Sequence, residues 1–179
     1  MKKILATVLF FLISSVLIAQ ITWNRKNGPT GGTVKDVEYD PATGKVFTLV
    51  ENSVFVSSDN GINWTALTFS GSDSFFYDIE IANGVIHLIS GFELYTSVDG
   101  GVTFSKKNND SVLSSAYKLK RLSSGTLIAL ASNRVYYSTT NGLTWIAGAS
   151  GSFNSNYLAV NNLDQIFVIS GSTGLPLRS

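Results

Sequence analysis

The chain has no cysteine and a single histidine among its 179 residues, only three prolines, and just 14% charged side chains. Without thiols it can form no disulfide and hold no zinc through thiolates. His87 has no second imidazole to share a metal with, and no nucleophile beside it suggests a Ser/His/Asp site. Charge of one sign is also missing: 13 Lys+Arg stand against 12 Asp+Glu. That balance gives no electrostatic grip on nucleic acid or anionic lipid. Past the first nineteen residues no amphipathic helical period is found. What is abundant is Gly, Ser, Thr and Asn, punctuating short β-branched and aromatic runs, which is the texture of an all-β chain.

Residues 1–19 stand apart from the rest. Lys2 and Lys3 precede an apolar run from Ile4 to Ala19, after which polar sequence begins at Gln20. This is the layout of a secretory signal peptide cleaved between Ala19 and Gln20. The run is short for a membrane span. Export by a Sec-type route places the mature chain in a secreted, periplasmic or cell-surface setting, with no membrane span after cleavage. Removing the leader takes away Lys2 and Lys3 and no acid, so the remainder stays close to neutral.

Four serines then fall into step. Ser57, Ser97, Ser138 and Ser179 are spaced by 40, 41 and 41 residues, and the first three open the related strings SSDNGINW, SVDGGVTF and STTNGLTW. Such a period marks a modular fold with one supersecondary unit per repeat. Each unit reads as four short strands. The first gives Thr33–Tyr39, Lys45–Val50, Ser53–Ser57 and Trp64–Phe69. The second gives Phe75–Ile81, Val85–Ile89, Glu93–Ser97 and Phe104–Lys107. The third gives Ala116–Leu122, Thr126–Ala131, Arg134–Ser138 and Trp145–Ala147. A fourth unit opens with Tyr157–Asn161 and Gln165–Ser170 and breaks off around Pro176–Ser179.

Four antiparallel strands every 41 residues is the pattern of β-propeller blades. A four-stranded sheet has two apolar faces and cannot cover both alone, so blades stack around an axis. The expected layout is blade 1 over 33–70, blade 2 over 74–110, blade 3 over 114–150 and part of blade 4 over 154–179. Ile21-Thr22-Trp23 repeats Ile62-Asn63-Trp64, so residues 20–27 are expected to form a closing outer strand. The ring is therefore expected to be incomplete: about three and a half blades plus one strand. The remaining blades would come from a longer chain or from an oligomer partner.

The string S-x-D-x-G-x-x-W resembles the Asp-box, or BNR-repeat, propellers. Ser57, Asp59, Gly61 and Trp64 match all four marked positions. Ser97, Asp99, Gly101 and Phe104 match with another aromatic at the end, and Ser138, Gly142 and Trp145 match around Thr140. The resemblance spans essentially the whole chain after the leader. It implies a structural role for the motif: the aspartate accepts backbone N–H groups, the glycine takes positive φ, and the aromatic packs between sheets. Thr140 offers only a hydroxyl, so the third turn is expected to be the least rigid. The resemblance leaves function open, since such propellers serve in sialidases, xyloglucan-cleaving glucanases, sortilin-type receptors and photosystem assembly factors.

Chemistry is thinly represented. Sialidases need three converging arginines, and Arg25, Arg121, Arg134 and Arg178 do not match that family's motif. Glycoside hydrolysis needs two carboxyl groups across a cleft. The weak candidates are Asp73 and Asp110, in comparable inter-blade links, with Glu51 and Glu93 on the same rim. Asp36, Glu38, Asp78 and Glu80 alternate along the innermost strands of two blades, and Lys118 and Lys120 take the matching places in the third. Inter-blade ion pairs such as Glu80 with Lys120 are expected. His87 shares a column with Phe47, Ile128 and Phe167 and is expected to face the core. Phe75-Phe76-Tyr77 and Tyr136-Tyr137 offer aromatic surface for a sugar, in part. The expectation is a binding or scaffold module with no catalytic site, metal or cofactor in this stretch, taking polysaccharide or another protein as partner. The alternatives are the N-terminal part of a secreted hydrolase, xyloglucanase-like or sialidase-like, with catalytic groups beyond Ser179, and a protein-assembly or receptor propeller.

Overall fold

The computed structural model describes residues 28–29, 31–68, 75–90, 93–107, 113 and 115–179. The leader over 1–19, the closing strand over 20–27, and both Asp73 and Asp110 lie outside these residues.

Alternating apolar and polar residues, broken by turn formers, produce four small antiparallel sheets. The first holds β1 (Val34–Asp40), β2 (Lys45–Val50), β3 (Ser53–Ser57) and β4 (Thr65–Ala66), in that spatial order. The second holds β5 (Asp78–Ala82), β6 (Val85–Ile89), β7 (Leu94–Ser97) and β8 (Ser105–Lys106). The third holds β9 (Ala116–Arg121), β10 (Leu127–Ala131), β11 (Arg134–Ser138) and β12 (Ile146–Ser150). The fourth holds β13 (Phe153–Val160), β14 (Ile166–Ser170) and β15 (Pro176–Arg178). The hairpin between β5 and β6 shows how local sequence sets register. Asn83 and Gly84 both take positive φ, 54° and 75°, the two-residue turn whose twist matches the flanking strands.

The sheets are arranged as the blades of a β-propeller. Their first strands line the axis, with β1 against β5, β5 against β9, and β9 against β13. The core sits in the layers between neighbouring blades. Between blades one and two lie Phe47, Leu49, Phe76, Ile79, Ile86 and Leu88. Between two and three lie Ile89, Leu94, Leu119, Leu127, Ala129 and Trp145. Ile128, Leu130, Leu158 and Val168 form the third layer.

The outer strands are shorter than the sequence suggests. β4 and β8 each span two residues and begin just after Trp64 and Phe104; Phe104 packs against the core between blades one and two, while the Trp64 indole N–H donates to the Gly61 carbonyl of its own turn at 3.2 Å. In the second sheet pairing starts at Asp78 rather than Phe75, with Tyr77 held by one bond from its N–H to the Ile89 carbonyl. The fourth sheet begins earlier than expected, at Phe153. A bulge between Asn154 and Leu158 lets the strand bend onto the third blade.

Candidate functional site

The serine–aspartate turns are built alike. Ser57 Oγ donates to Asp59 Oδ1 at 2.8 Å and accepts the Gly61 N–H at 2.9 Å. Asp59 Oδ1 in turn accepts the N–H groups of Ile62 and Asn63 at 3.1 and 2.8 Å. Ser97, Asp99, Gly101 and Thr103 repeat the arrangement. These donors pull the Asp59 carboxyl down to about 2, the Asn63 backbone bond contributing most, and hold Asp99 far below the carboxylate range through Thr103. In the third turn Thr140 Oγ1 still accepts the Thr144 N–H at 2.8 Å, but its contact with Ser138 lengthens to 3.3 Å. Gly101 and Gly142 have φ of 95° and 84°, and a Cβ on either would collide with Leu67 or Leu94 of the preceding blade. The second and third turns therefore clamp their blades to the one before, and Asp59 and Asp99 are taken up by hydrogen bonds within their own turns.

The axis carries the densest charge. Lys120 Nζ reaches Glu38 of blade one at 2.5 Å and Glu80 of blade two at 2.9 Å, so one lysine of blade three ties three blades together. One step along, Lys118 pairs with Asp78 and lies 3.8 Å from Asp36. Asp78 is fully buried and also accepts the Leu119 N–H at 2.7 Å. Burial, then neighbouring Asp36, push its carboxyl up to about 8, and Lys118 opposes this without cancelling it. Burial also raises Glu80, against the pull of Lys120. Beside these groups a cavity of about 300 Å³ opens toward the fourth blade, lined by Asp36, Lys118, Lys120, Tyr157 and Phe167 among others.

The first hairpins of the four blades share one rim, and carboxylates stitch two of the three joints. Asp40 Oδ2 accepts the Gly84 N–H of the next blade at 3.0 Å. Asp164 accepts the Ser123 N–H and hydroxyl of the preceding blade at 2.9 and 2.6 Å. At the middle joint His87 is fully buried, as its column implies. Its Nδ1 meets Thr96 Oγ1 at 3.0 Å and its Nε2 meets an Arg121 guanidinium nitrogen at 3.4 Å. Burial, then the charge of Arg121, lower its pKa to about 4, so the ring is neutral at pH 7. Arg121 donates to Nε2, and the single ring proton then sits on Nδ1, facing Thr96.

Asp73 and Asp110 lie outside the described residues. Glu51 sits in a turn at φ 50°, accepting the Thr33 N–H at 2.8 Å, and Glu93 is held by Lys106 and the Tyr95 hydroxyl. Each carboxylate is thus hydrogen-bonded within its own blade. Of the aromatic clusters, Phe76 is core, Phe75 is exposed, and Tyr77 stacks edge-on against Tyr117 at 4.7 Å. Sequence reasoning paired Glu80 with Lys120 but missed Glu38 as the third member; the shared alternation of Glu38 and Glu80 was the available signal. It also missed Arg121 as the partner of His87, 34 residues away.

No family model matches the chain, and no curated protein matches it. Solved structures do. YCF48 from Cyanidioschyzon merolae superposes with a TM-score of 0.72 at 14% identity, over 89% of this chain and 56% of that one. YCF48 bound to D1 peptide gives 0.69 at 17% identity, over 89% and 54%. The GH74 enzyme of Niastella koreensis gives 0.64 at 17% identity, over 88% of this chain and 25% of that one. This chain thus spans about half the length of the YCF48 structures. At such identities the likeness shows the β-propeller fold alone.

Proposed function

We propose that this chain is an Asp-box β-propeller module, exported by the leader over 1–19, that binds or scaffolds a partner rather than catalysing a reaction. The observation that carries this reading is the axis. A glycosidase needs a proton donor and a second carboxyl facing each other across open space. Here Asp36, Glu38, Asp78 and Glu80 are shared between Lys118 and Lys120 and hold blades together. The partner is another protein or a polysaccharide. The YCF48 structure with its D1 peptide lends support to the first.

A second reading, part of a secreted hydrolase, draws support from the likeness to a GH74 enzyme. One experiment separates them: the purified chain is incubated with xyloglucan and its retention and sugar release are followed. Retention without release, or no interaction with the polysaccharide, fits the module. Release that disappears in an Asp73→Asn, Asp110→Asn double variant would transfer the chain to the hydrolases. Export is checked by the intact mass of the secreted protein, which should begin at Gln20.

A further inference from the structure

The middle joint of the hairpin rim lacks what its neighbours have. Glu38 pairs with Phe47 and Glu80 with His87 in equivalent places of their ladders, so Asp40 and Ala82, each two residues on, are counterparts. Asp40 stitches blade one to blade two, and Asp164 stitches blade four back to blade three. Ala82 has no carboxylate to offer, and among the described residues no hydrogen bond joins residues 82–84 to residues 122–125. In place of a stitch there is a polar pocket of about 410 Å³, lined by Glu80, Ala82, Asn83 and the run from Arg121 to Gly125.

Arg121 is the cation of this pocket. No described carboxylate lies within ion-pair reach of its guanidinium. One edge is anchored on the buried His87, which Thr96 holds from behind. The other edge passes close to Gly125, where an added Cβ would come within 3.3 Å of a terminal nitrogen. A guanidinium held in this way, with donors left over, matches the planar geometry of a carboxylate. We propose that this pocket binds the acidic side chain of a partner peptide, whose carboxylate supplies from outside the stitch that Asp40 and Asp164 supply from within the chain.

Three features favour that ligand. Both existing stitches are aspartates of a first hairpin, Asp40 at the end of β1 and Asp164 in the turn between β13 and β14. Glu80, already claimed by Lys120, lines the same pocket and disfavours a dianion such as phosphate. No aromatic ring lines the pocket, so a sugar acid would find no stacking surface there. The site stands whether the whole module is a scaffold or part of a hydrolase.

The test is a titration of the intact chain, following the Arg121 Nε–H and His87 ring signals by NMR. Acetyl-Gly-Asp-Gly-amide should give a saturable shift of both signals. The asparagine peptide should bind on the order of tenfold more weakly or not at all, in line with loss of a charge-assisted pair. Arg121→Gln should lose the response. Ala82→Asp, which places a carboxylate at the position of Asp40, should lose it too, with the free Arg121 signal already moved toward its bound position. Equal shifts from the aspartate and asparagine peptides would overturn the proposal. So would binding that survives Ala82→Asp, or glucuronate binding as tightly as the aspartate peptide.

Discussion

The joint between blades two and three and the joint between blades three and four use equivalent strands and end differently. In the first, Leu94, Leu119, Leu127 and Ala129 are fully buried, and Trp145 from the third turn closes the outer half of the layer. In the second, Ile128, Leu130, Leu158 and Val168 are buried together, but Ile128 and Val168 also border a groove of about 420 Å³ lined by Val135, Tyr137, Phe153 and Ile166 among others. Phe104 plays the part of Trp145 between blades one and two. Among the described residues the fourth blade contributes no such aromatic. The contrast separates two jobs. Ladder residues bring blades together along the axis, and the turn aromatic excludes water farther out.

Truncations should expose that division most strongly. Leu127→Ala or Trp145→Ala at the sealed joint should cost about 3–5 kcal/mol in chemical denaturation, as transfer and cavity terms add. Ile166→Ala at the open groove should cost less than half as much, since water already reaches it. Equal losses would erase the distinction. Trp145 also buries an indole N–H that has no partner among the described residues. Trp145→Phe should therefore cost far less than the alanine variant, about 1 kcal/mol or below.

Next in size is the axis. Lys120→Met strands Glu38 and Glu80 together, and because the lysine is partly exposed the loss should be about 1–3 kcal/mol, below that of a fully buried pair. Adding Glu80→Gln should recover part of it. Additive losses in the double variant would mean that the three groups do not act together.

Smaller effects come from pH. The Asp78 carboxyl rises from 3.8 to about 8 on folding, so the native state holds its proton more tightly. Its contribution is fully present below pH 3.8 and is lost as pH rises through about 8. Asp59 moves the other way, from 3.8 to about 2, so its contribution is present above pH 3.8 and lost as pH falls through about 2. Asp78→Asn should flatten a stability–pH profile between about pH 4 and 8, and Asp59→Asn between about pH 4 and 2. The smallest change expected is a modest rise in melting temperature for Thr140→Asp, which would give the third turn the acceptor of the other two. A fall would show that the hydroxyl suits that turn better.

Much of this was legible in the sequence. The serine–aspartate turns could be read because every partner lies within a few residues, and the strands β2, β3, β6 and β11 because alternation and turn residues bracket them closely. The inward column containing His87 followed from aligning repeats. Legibility stopped where partners come from different blades. Glu38 meets Lys120 across 82 residues, and Arg121 meets His87 only because their blades are neighbours. The bulge that starts β13 early runs through Asn154, Ser155 and Asn156, which read in the sequence as a turn between units rather than as part of a strand.

The sequence by itself therefore determined the repeat, the all-β blades, the turn chemistry and the face each strand buries, since all of these depend on local spacing and hydrogen bonds within one unit. The tertiary structure alone decided which charges neutralise each other along the axis, which joint Trp145 seals, and where Arg121 is left without a carboxylate among the described residues. Those outcomes depend on the distance and angle between blades, and residues some 40 or 80 positions apart meet there with nothing in the chain to mark the pairing.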